Sequence, residues 1–218
     1  TDRMVVSVIG GHGQIALALT RLLAREDAVV RSLIRDSAQA DDIRAAGGEP
    51  YTVDFERAAD ADIDAAIDGS DAVVFAAGAG PGSSAERKET VDYGAAVRLI
   101  GAAQRCGGPR YVMISAFRAD PDFPGDEVFA VYQRAKGRAD AELEASGLDH
   151  LILRPVRLTD EAATGRISLV RSPDQPESEF IPRDEVAAVL AEAILRHPEV
   201  SGIWNLSSGR QPVADALN

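Results

Sequence analysis

Tyr132 and Lys136 stand four positions apart in Tyr132-Gln133-Arg134-Ala135-Lys136. On a helix that spacing puts both on one face. The pair suits proton transfer. A phenol with an ordinary pKa of about 10 is a poor acid–base group at neutral pH, and a nearby ammonium favours its anion and lowers that pKa. Lysine is scarce here: Lys88 and Lys136 are the two lysines among 23 basic residues, and the chain has four tyrosines. A Tyr-x-x-x-Lys match is expected by chance only about 0.04 times in such a chain. Arginine is the cation used almost everywhere else, and its planar fork does not replace a compact ammonium. The plain alternative is a packed tyrosine beside a surface lysine.

A second candidate segment is Gly10-Gly11-His12-Gly13-Gln14-Ile15-Ala16. A strand-like run, Met4 to Ile9, enters it. Gly13 to Arg25 leaves it with Ile15, Leu19, Leu22 and Leu23 at helical spacing. Glycine at 10 permits a tight turn, glycine at 13 admits a pyrophosphate to the backbone, and small Ala16 lets the helix pack close. Free N–H groups and the helix dipole favour the anion there. Gly10, His12, Gly13, Gln14 and Ile15 are therefore expected to hold a dinucleotide, with His12 shaping the loop or facing solvent. The competing reading is an ordinary glycine turn. The end of the second strand selects the cofactor. Arg35, first after Ile34, suits the 2′-phosphate of NADP, with Ser37 as a second donor; Asp36 argues for NAD, which stays open. Lys136 can also hydrogen-bond a nicotinamide ribose.

The elements that must position these residues alternate regularly. Strands are expected at Met4 to Ile9, Ala28 to Ile34, Tyr51 to Val53, Ala72 to Ala77, Tyr111 to Ser115 and Leu148 to Pro155. Helices are expected at Gly13 to Arg25, from a Ser37 cap to Gly47-Gly48, at Ala58 to Ile67, in one piece at Arg87 to Cys106, and at Asp126 to Ser146. After Pro155 the rhythm breaks. A strand at Arg166 to Val170, a helix capped by Asp184 running to Arg196, and a strand at Ile203 to Leu206 follow. Such alternation implies an α/β fold, a doubly wound parallel sheet, as one Rossmann domain over 1–218. Residues 156–218 supply a small substrate side. The loops at Gly78 to Ala85 and Arg118 to Gly125 follow strand C-termini, where open α/β sheets bind ligands. With Val156 to Glu179 they are expected to form a shallow pocket.

VIGGHGQIA, AVVFAAGAG, YVMISAF, Tyr132-x-x-x-Lys136 and LILRP occur in that order. Together they resemble the atypical short-chain dehydrogenase/reductases, in particular the small NAD(P)-binding proteins labelled sugar epimerase-like or NmrA-like. The resemblance runs from Val5 to about Leu217. It implies that Asp54 faces the adenine, that Ala76, Ala77 and Gly78 line the adenosine side, and that Pro155 and Val156 border the nicotinamide. It also implies that Ser115 stands near the nicotinamide as a hydroxyl donor, holding the substrate oxygen beside Tyr132 and Lys136. Arg-Asp-Ser and Ile-Ser-Ala-Phe also resemble biliverdin and flavin reductases of the same superfamily. Two departures stand out. Ala16 replaces a common glycine. Ser115 precedes Tyr132 by 17 residues, more than usual, which displaces the serine from the tyrosine.

Composition narrows the partners. A net charge of -12 disfavours nucleic acid. Cys106 is the one cysteine. It permits neither an internal disulfide nor a cysteine metal cluster and is expected to pack in a helix. The start of the chain carries no signal-like segment, and no apolar run approaches the roughly 18 residues of a membrane helix. A soluble, cytoplasmic protein acting on a small molecule is expected, its oligomeric state unread. Three functions fit: an NADP(H)-dependent oxidoreductase or epimerase-like enzyme, a dinucleotide-sensing protein without turnover, and a flavin reductase.

Overall fold

The computed structural model describes residues 2–78 and 82–218. β-Branched apolar runs form its central strands because both faces of a parallel sheet are buried. β1 (Val5–Ile9), β2 (Val29–Ile34), β3 (Glu49–Thr52), β4 (Ala72–Phe75), β5 (Arg110–Ile114) and β6 (His150–Pro155) are joined by right-sized crossovers. The nine-stranded sheet has the order β11-β8-β10-β6-β5-β4-β1-β2-β3. Here β8 is Arg166–Arg171, β10 Gly202–Ser208 and β11 Gln211–Pro212. β10 is parallel to β6, whereas β8 runs antiparallel to β10 and finishes the edge with β11. A separate parallel pair, β7 (Arg157–Thr159) and β9 (Phe180–Pro182), rises beside the end of β6. The expected doubly wound α/β sheet is observed.

Helices cover both faces. α1 (Gln14–Arg25) and α7 (Arg183–Arg196) pack on one side, where Leu19, Leu23, Val186 and Leu190 are fully buried. Each such leucine contributes roughly 1.5–3 kcal/mol of burial. α3 (Asp60–Ile67), α5 (Ala96–Arg105) and α6 (Val128–Ala145) cover the other face around Phe75, Leu99, Tyr111 and Leu143. α2 (Ala40–Ala45) is short, and α8 (Val213–Ala216) closes the chain.

The differences from the sequence reading have local causes. Asp36, rather than Ser37, caps the second crossover: its carboxylate accepts from Ala38 N–H at 2.9 Å, and a 3-10 turn, Ser37–Gln39, precedes α2. The third strand starts at Glu49, two residues early. Pro182 stands at the N-cap of α7, with Asp184 in its first turn. The helix expected at Arg87 to Cys106 is three segments: α4 (Ala85–Arg87), a π-helix at Lys88–Ala95, and α5. Such wide turns are uncommon and frequent at functional sites. Cys106 sits half-buried at the C-cap of α5, its Sγ 3.5 Å from the Asp64 carbonyl.

Candidate nucleotide cleft and reactive centre

The strand order reverses between β1 and β4, so their C-terminal ends diverge and open a crevice. Gly10 ends β1 there with φ +75°, a left-handed backbone. A Cβ on it would lie 2.6 Å from Ala77 Cα. Both facts require glycine. Gly11 is fixed by a different neighbour, since a Cβ there would lie 2.7 Å from Ser32 Cβ. Gly13 is different again. It has φ -62°, open to any residue, and a Cβ on it would meet nothing closer than the Gly10 carbonyl at 3.5 Å. Neither backbone nor packing demands this glycine, and the space above it is free. It also stands at the N-cap of α1, with no side-chain cap and no acidic residue in the first turn. The opening N–H groups of α1 therefore lack intrahelical partners and face that space. The cradle fits a pyrophosphate.

Two cavities meet at Ala76, Ala77 and Gly78. The smaller, about 490 Å³, is lined by Gly10, His12, Gly13, Arg35, Asp54 and Glu56 among others. His12 Nε2 lies 2.8 Å from Asp42 Oδ2, so it braces the loop on α2. Arg35 is largely exposed, with Glu56 Oε2 3.8 Å away; Glu56 also accepts from Arg87 and, at 2.7 Å, from Thr90. Asp36 does not line the cleft, because its carboxylate is turned onto Ala38. Asp54 Oδ1 accepts from Glu56 N–H at 3.0 Å. Gln14 opens α1 at the surface and lines neither cavity.

The larger cavity, about 1190 Å³, is roomier than the expected shallow pocket. It is lined by the Tyr132–Lys136 face of α6, the ends of β4 and β5, the β7 residues Arg157 and Leu158, and the segment Gln175 to Glu179. A Cβ at Gly137 would fall 2.3 Å from the Asp120 carbonyl carbon, so this glycine admits the loop after β5. Ile15, Pro155 and Val156 line the cavity, as do Ser115, Tyr132 and Lys136. Of the loop expected at 78–85, residues 79–81 lie outside the described residues.

The structure brings Tyr132, Lys136 and Ser115 to one cavity, each with partners the sequence did not reveal. Lys136 is 4% exposed; its Nζ donates to the Ile114 carbonyl at 3.0 Å and lies 3.7 Å from Asp92 Oδ1. The expected lowering of the phenol is absent. Burial, reinforced by the carboxylates of Asp92 and Asp140, raises Tyr132 well above its ordinary pKa. Lys136 faces Asp92, and the charges that act on the phenol are those of the two acids. Lys88 also belongs here: it is buried, its Nζ donates to Ser83 Oγ at 2.9 Å and lies 5.5 Å from the Tyr132 ring centroid. Both lysines of the chain thus line the cavity that holds Tyr132.

Ser115 differs from its expected role as a donor. Its Oγ donates to Asp140 Oδ2 at 2.7 Å, and Arg154 Nε holds the same oxygen at 3.0 Å. Asp140 is buried, which pushes its pKa up to about 6 against the pull of Arg154 and Ser115. A hydroxyl has one proton, and a carboxylate only accepts. While Asp140 is ionised, Ser115 presents lone pairs to the cavity. A sequence signal for Asp140 existed: Tyr132, Lys136 and Asp140 repeat at four-residue intervals on one face of α6.

Fold and cleft define a Rossmann-type dinucleotide-binding protein. The chain belongs to the NAD(P)H-binding family, whose model matches residues 10–198. It is 34% identical over 215 residues to the "Uncharacterized sugar epimerase YhfK" of Bacillus subtilis (strain 168), covering 98% of this chain and 99% of that protein. A solved "Putative NAD-dependent epimerase/dehydratase from Bacillus halodurans" is 31% identical, with a TM-score of 0.89 over 98% of each chain. A short-chain dehydrogenase/reductase from Veillonella parvula DSM 2008, solved in complex with NADP, shares the fold at 15% identity and TM-score 0.75 over 95% of each chain. The expected kinship with small NAD(P)-binding, epimerase-like oxidoreductases is thereby met. Among the described residues, no helix is long and apolar enough to cross a membrane.

Proposed function

We propose that this chain is an NADP(H)-dependent oxidoreductase acting on a small molecule. The carrying observation is the junction at Ala76 to Gly78, which joins the glycine cradle to a cavity holding Tyr132, Lys136 and Ser115. In this reading the pyrophosphate rests on Gly10, Gly13 and the start of α1. Arg35 takes the 2′-phosphate, and Asp54 borders the adenosine. Pro155 and Val156 flank the nicotinamide. The bound cofactor supplies hydride transfer.

The chain's own residues handle the proton. Tyr132, held above its ordinary range, stays a neutral phenol at physiological pH and serves as donor to the substrate oxygen. Lys136 is a positioning residue for the tyrosine and a donor to the ribose. Ser115 accepts from a substrate hydroxyl or a carboxamide, and Asp140 orients it. An NADPH-oxidation screen over aldehydes, quinones and flavins, run with wild type and Tyr132→Phe, tests this. Turnover that falls about 10²-fold in the variant supports the donor role. Turnover with flavins that survives Tyr132→Phe supports the flavin-reductase reading instead.

A second reading, a dinucleotide sensor without turnover, is favoured by one feature: Lys136 is already engaged by Ile114 and Asp92. Tight NADPH binding with no oxidation across the screen supports it.

A further inference from the structure

The larger cavity reverses the charge of the molecule around it. In a chain with 35 acidic and 23 basic residues, its wall holds five cations, Lys88, Arg118, Lys136, Arg157 and Arg183, against three acids, Asp92, Glu177 and Glu179. Some of these are neutralised locally. Lys136 faces Asp92, Arg183 pairs with Asp160 at 2.7 Å, and Glu177 pairs with Arg210 at 3.1 Å. Arg118 and Arg157 have no carboxylate partner among the described residues. Each lies over an aromatic ring instead: Arg118 is 5.3 Å from the Phe117 centroid, and Arg157 is 5.8 Å from that of Phe180. Arg118 also holds φ +65°, unusual for a residue with a side chain. The backbones that present the two arginines are tied together, since Phe117 N–H donates to the Pro155 carbonyl at 3.0 Å. Arg118 and Arg157 both line the cavity, from segments that follow the neighbouring strands β5 and β6.

Part of the same lining is aromatic: Phe123, Phe129 and Tyr132. Phe123 and Phe129 meet edge to face at 5.8 Å, and Phe129 stacks toward Tyr132 at 6.4 Å. Phe129 is 60% exposed and Phe180 45% exposed, and among the described residues only Val128 joins them as a large apolar side chain left in solvent. Phe129 lines the cavity, and Phe180 directly follows its lining residue Glu179. Apolar groups left open around a concave site mark where a ligand covers them.

We propose that the substrate is a planar aromatic molecule bearing a carboxylate. Arg118 and Arg157 hold the carboxylate, and Phe123, Phe129 and Tyr132 cover the ring. This rests on the cofactor reading above, because it places the aromatic body beside the nicotinamide half of the cleft.

The test is a calorimetric titration of NADP⁺-loaded protein with 2-naphthoate and with 2-naphthamide, which share a ring system and differ in charge. Naphthoate is expected to bind about tenfold more tightly, the worth of a charge-assisted contact. Arg157→Gln and Arg118→Gln each reduce that preference several-fold and leave the amide unchanged. Phe129→Ala weakens both probes, and 0.5 M salt weakens only the acid. Equal affinities of acid and amide, a preference indifferent to both arginines, or no binding of either probe would overturn the proposal. If NADP⁺ itself fails to bind, the cofactor reading falls separately. The same pair of probes on the cofactor-free protein then decides the arginine site by the same outcomes.

Discussion

Gly10 and Gly13 are three residues apart, yet substitution at each should damage a different property. At Gly10 an alanine must adopt φ +75° and place its Cβ 2.6 Å from Ala77 Cα and 2.7 Å from Ala77 N. The left-handed backbone costs about 1–2 kcal/mol, and relieving an overlap against backbone costs about 1–3 kcal/mol more. Gly10→Ala should lose roughly 2–5 kcal/mol of unfolding free energy on those two terms. At Gly13 the backbone is already at φ -62°, ψ 155°, and the added carbon meets only the Gly10 carbonyl at 3.5 Å. Gly13→Ala should leave stability intact or raise it by about 0.4–1 kcal/mol, through the lower entropy of the unfolded chain. The added carbon nevertheless stands where a pyrophosphate must approach. NADPH affinity should fall at least about tenfold, equivalent to about 1.4 kcal/mol, and Gly13→Val should abolish binding. Urea unfolding followed at the single tryptophan, Trp204, gives stability, and calorimetry gives affinity. A Gly13→Ala protein as unstable as Gly10→Ala, or one that binds NADPH like wild type, would refute the assignment of that space to a cofactor.

Other expectations follow from the larger cavity. Tyr132→Phe should lower kcat by about 10²-fold with NADPH affinity unchanged; since the phenol is held above its ordinary range, wild-type activity should show no loss from its ionisation below pH 10, and a tyrosine-dependent limb near pH 8 would contradict this. Lys136→Arg should weaken NADPH binding and lower kcat together, because a guanidinium fork does not fit the enclosed space between the Ile114 carbonyl and Asp92. Asp140 gives a pH signature. Its folded pKa is raised to about 6, so the folded state keeps a proton that the unfolded chain has lost between about pH 4 and 6. The stability this confers is present at pH 4 and is lost as pH rises through 6, by on the order of 3 kcal/mol. Unfolding free energies of wild type and Asp140→Asn should therefore shift by that amount in favour of the variant between pH 4 and pH 7, and a constant difference would be the contrary result.

How much of this was legible in the sequence depended on how local each cause is. The apolar runs and their helical crossovers gave the sheet because a parallel strand buried on both faces leaves an unbroken apolar signature. Gly10 was readable because a left-handed turn after a strand needs glycine. The π-helix was not: Gly94 in Lys88 to Ala95 weakens a helix without specifying a wider turn, and the segment buries Lys88 and Asp92, the latter facing Lys136 far along the chain. The partners of the reactive centre were equally hidden. Asp92 meets Lys136 across 44 residues and Asp140 meets Ser115 across 25, and neither pairing has a spacing rule. The consequence was chemical. An ammonium four residues from a phenol suggested a lowered pKa, whereas burial and two carboxylates raise it. The β7–β9 pair and its Arg157 went unread because strands of three residues leave too short a pattern.

A side-by-side calorimetric titration with NADPH and NADH tests the proposed assignment of the cleft to NADP(H) most directly. Arg35 lines the smaller cavity, largely exposed and 3.8 Å from Glu56, while the Asp36 carboxylate accepts from Ala38 N–H. NADPH should bind one per chain and about tenfold or more tighter than NADH, the worth of a charged hydrogen bond to the 2′-phosphate, and Arg35→Ala should erase the difference without weakening NADH. Equal affinities for the two cofactors, or a preference for NADPH that survives Arg35→Ala, would contradict it.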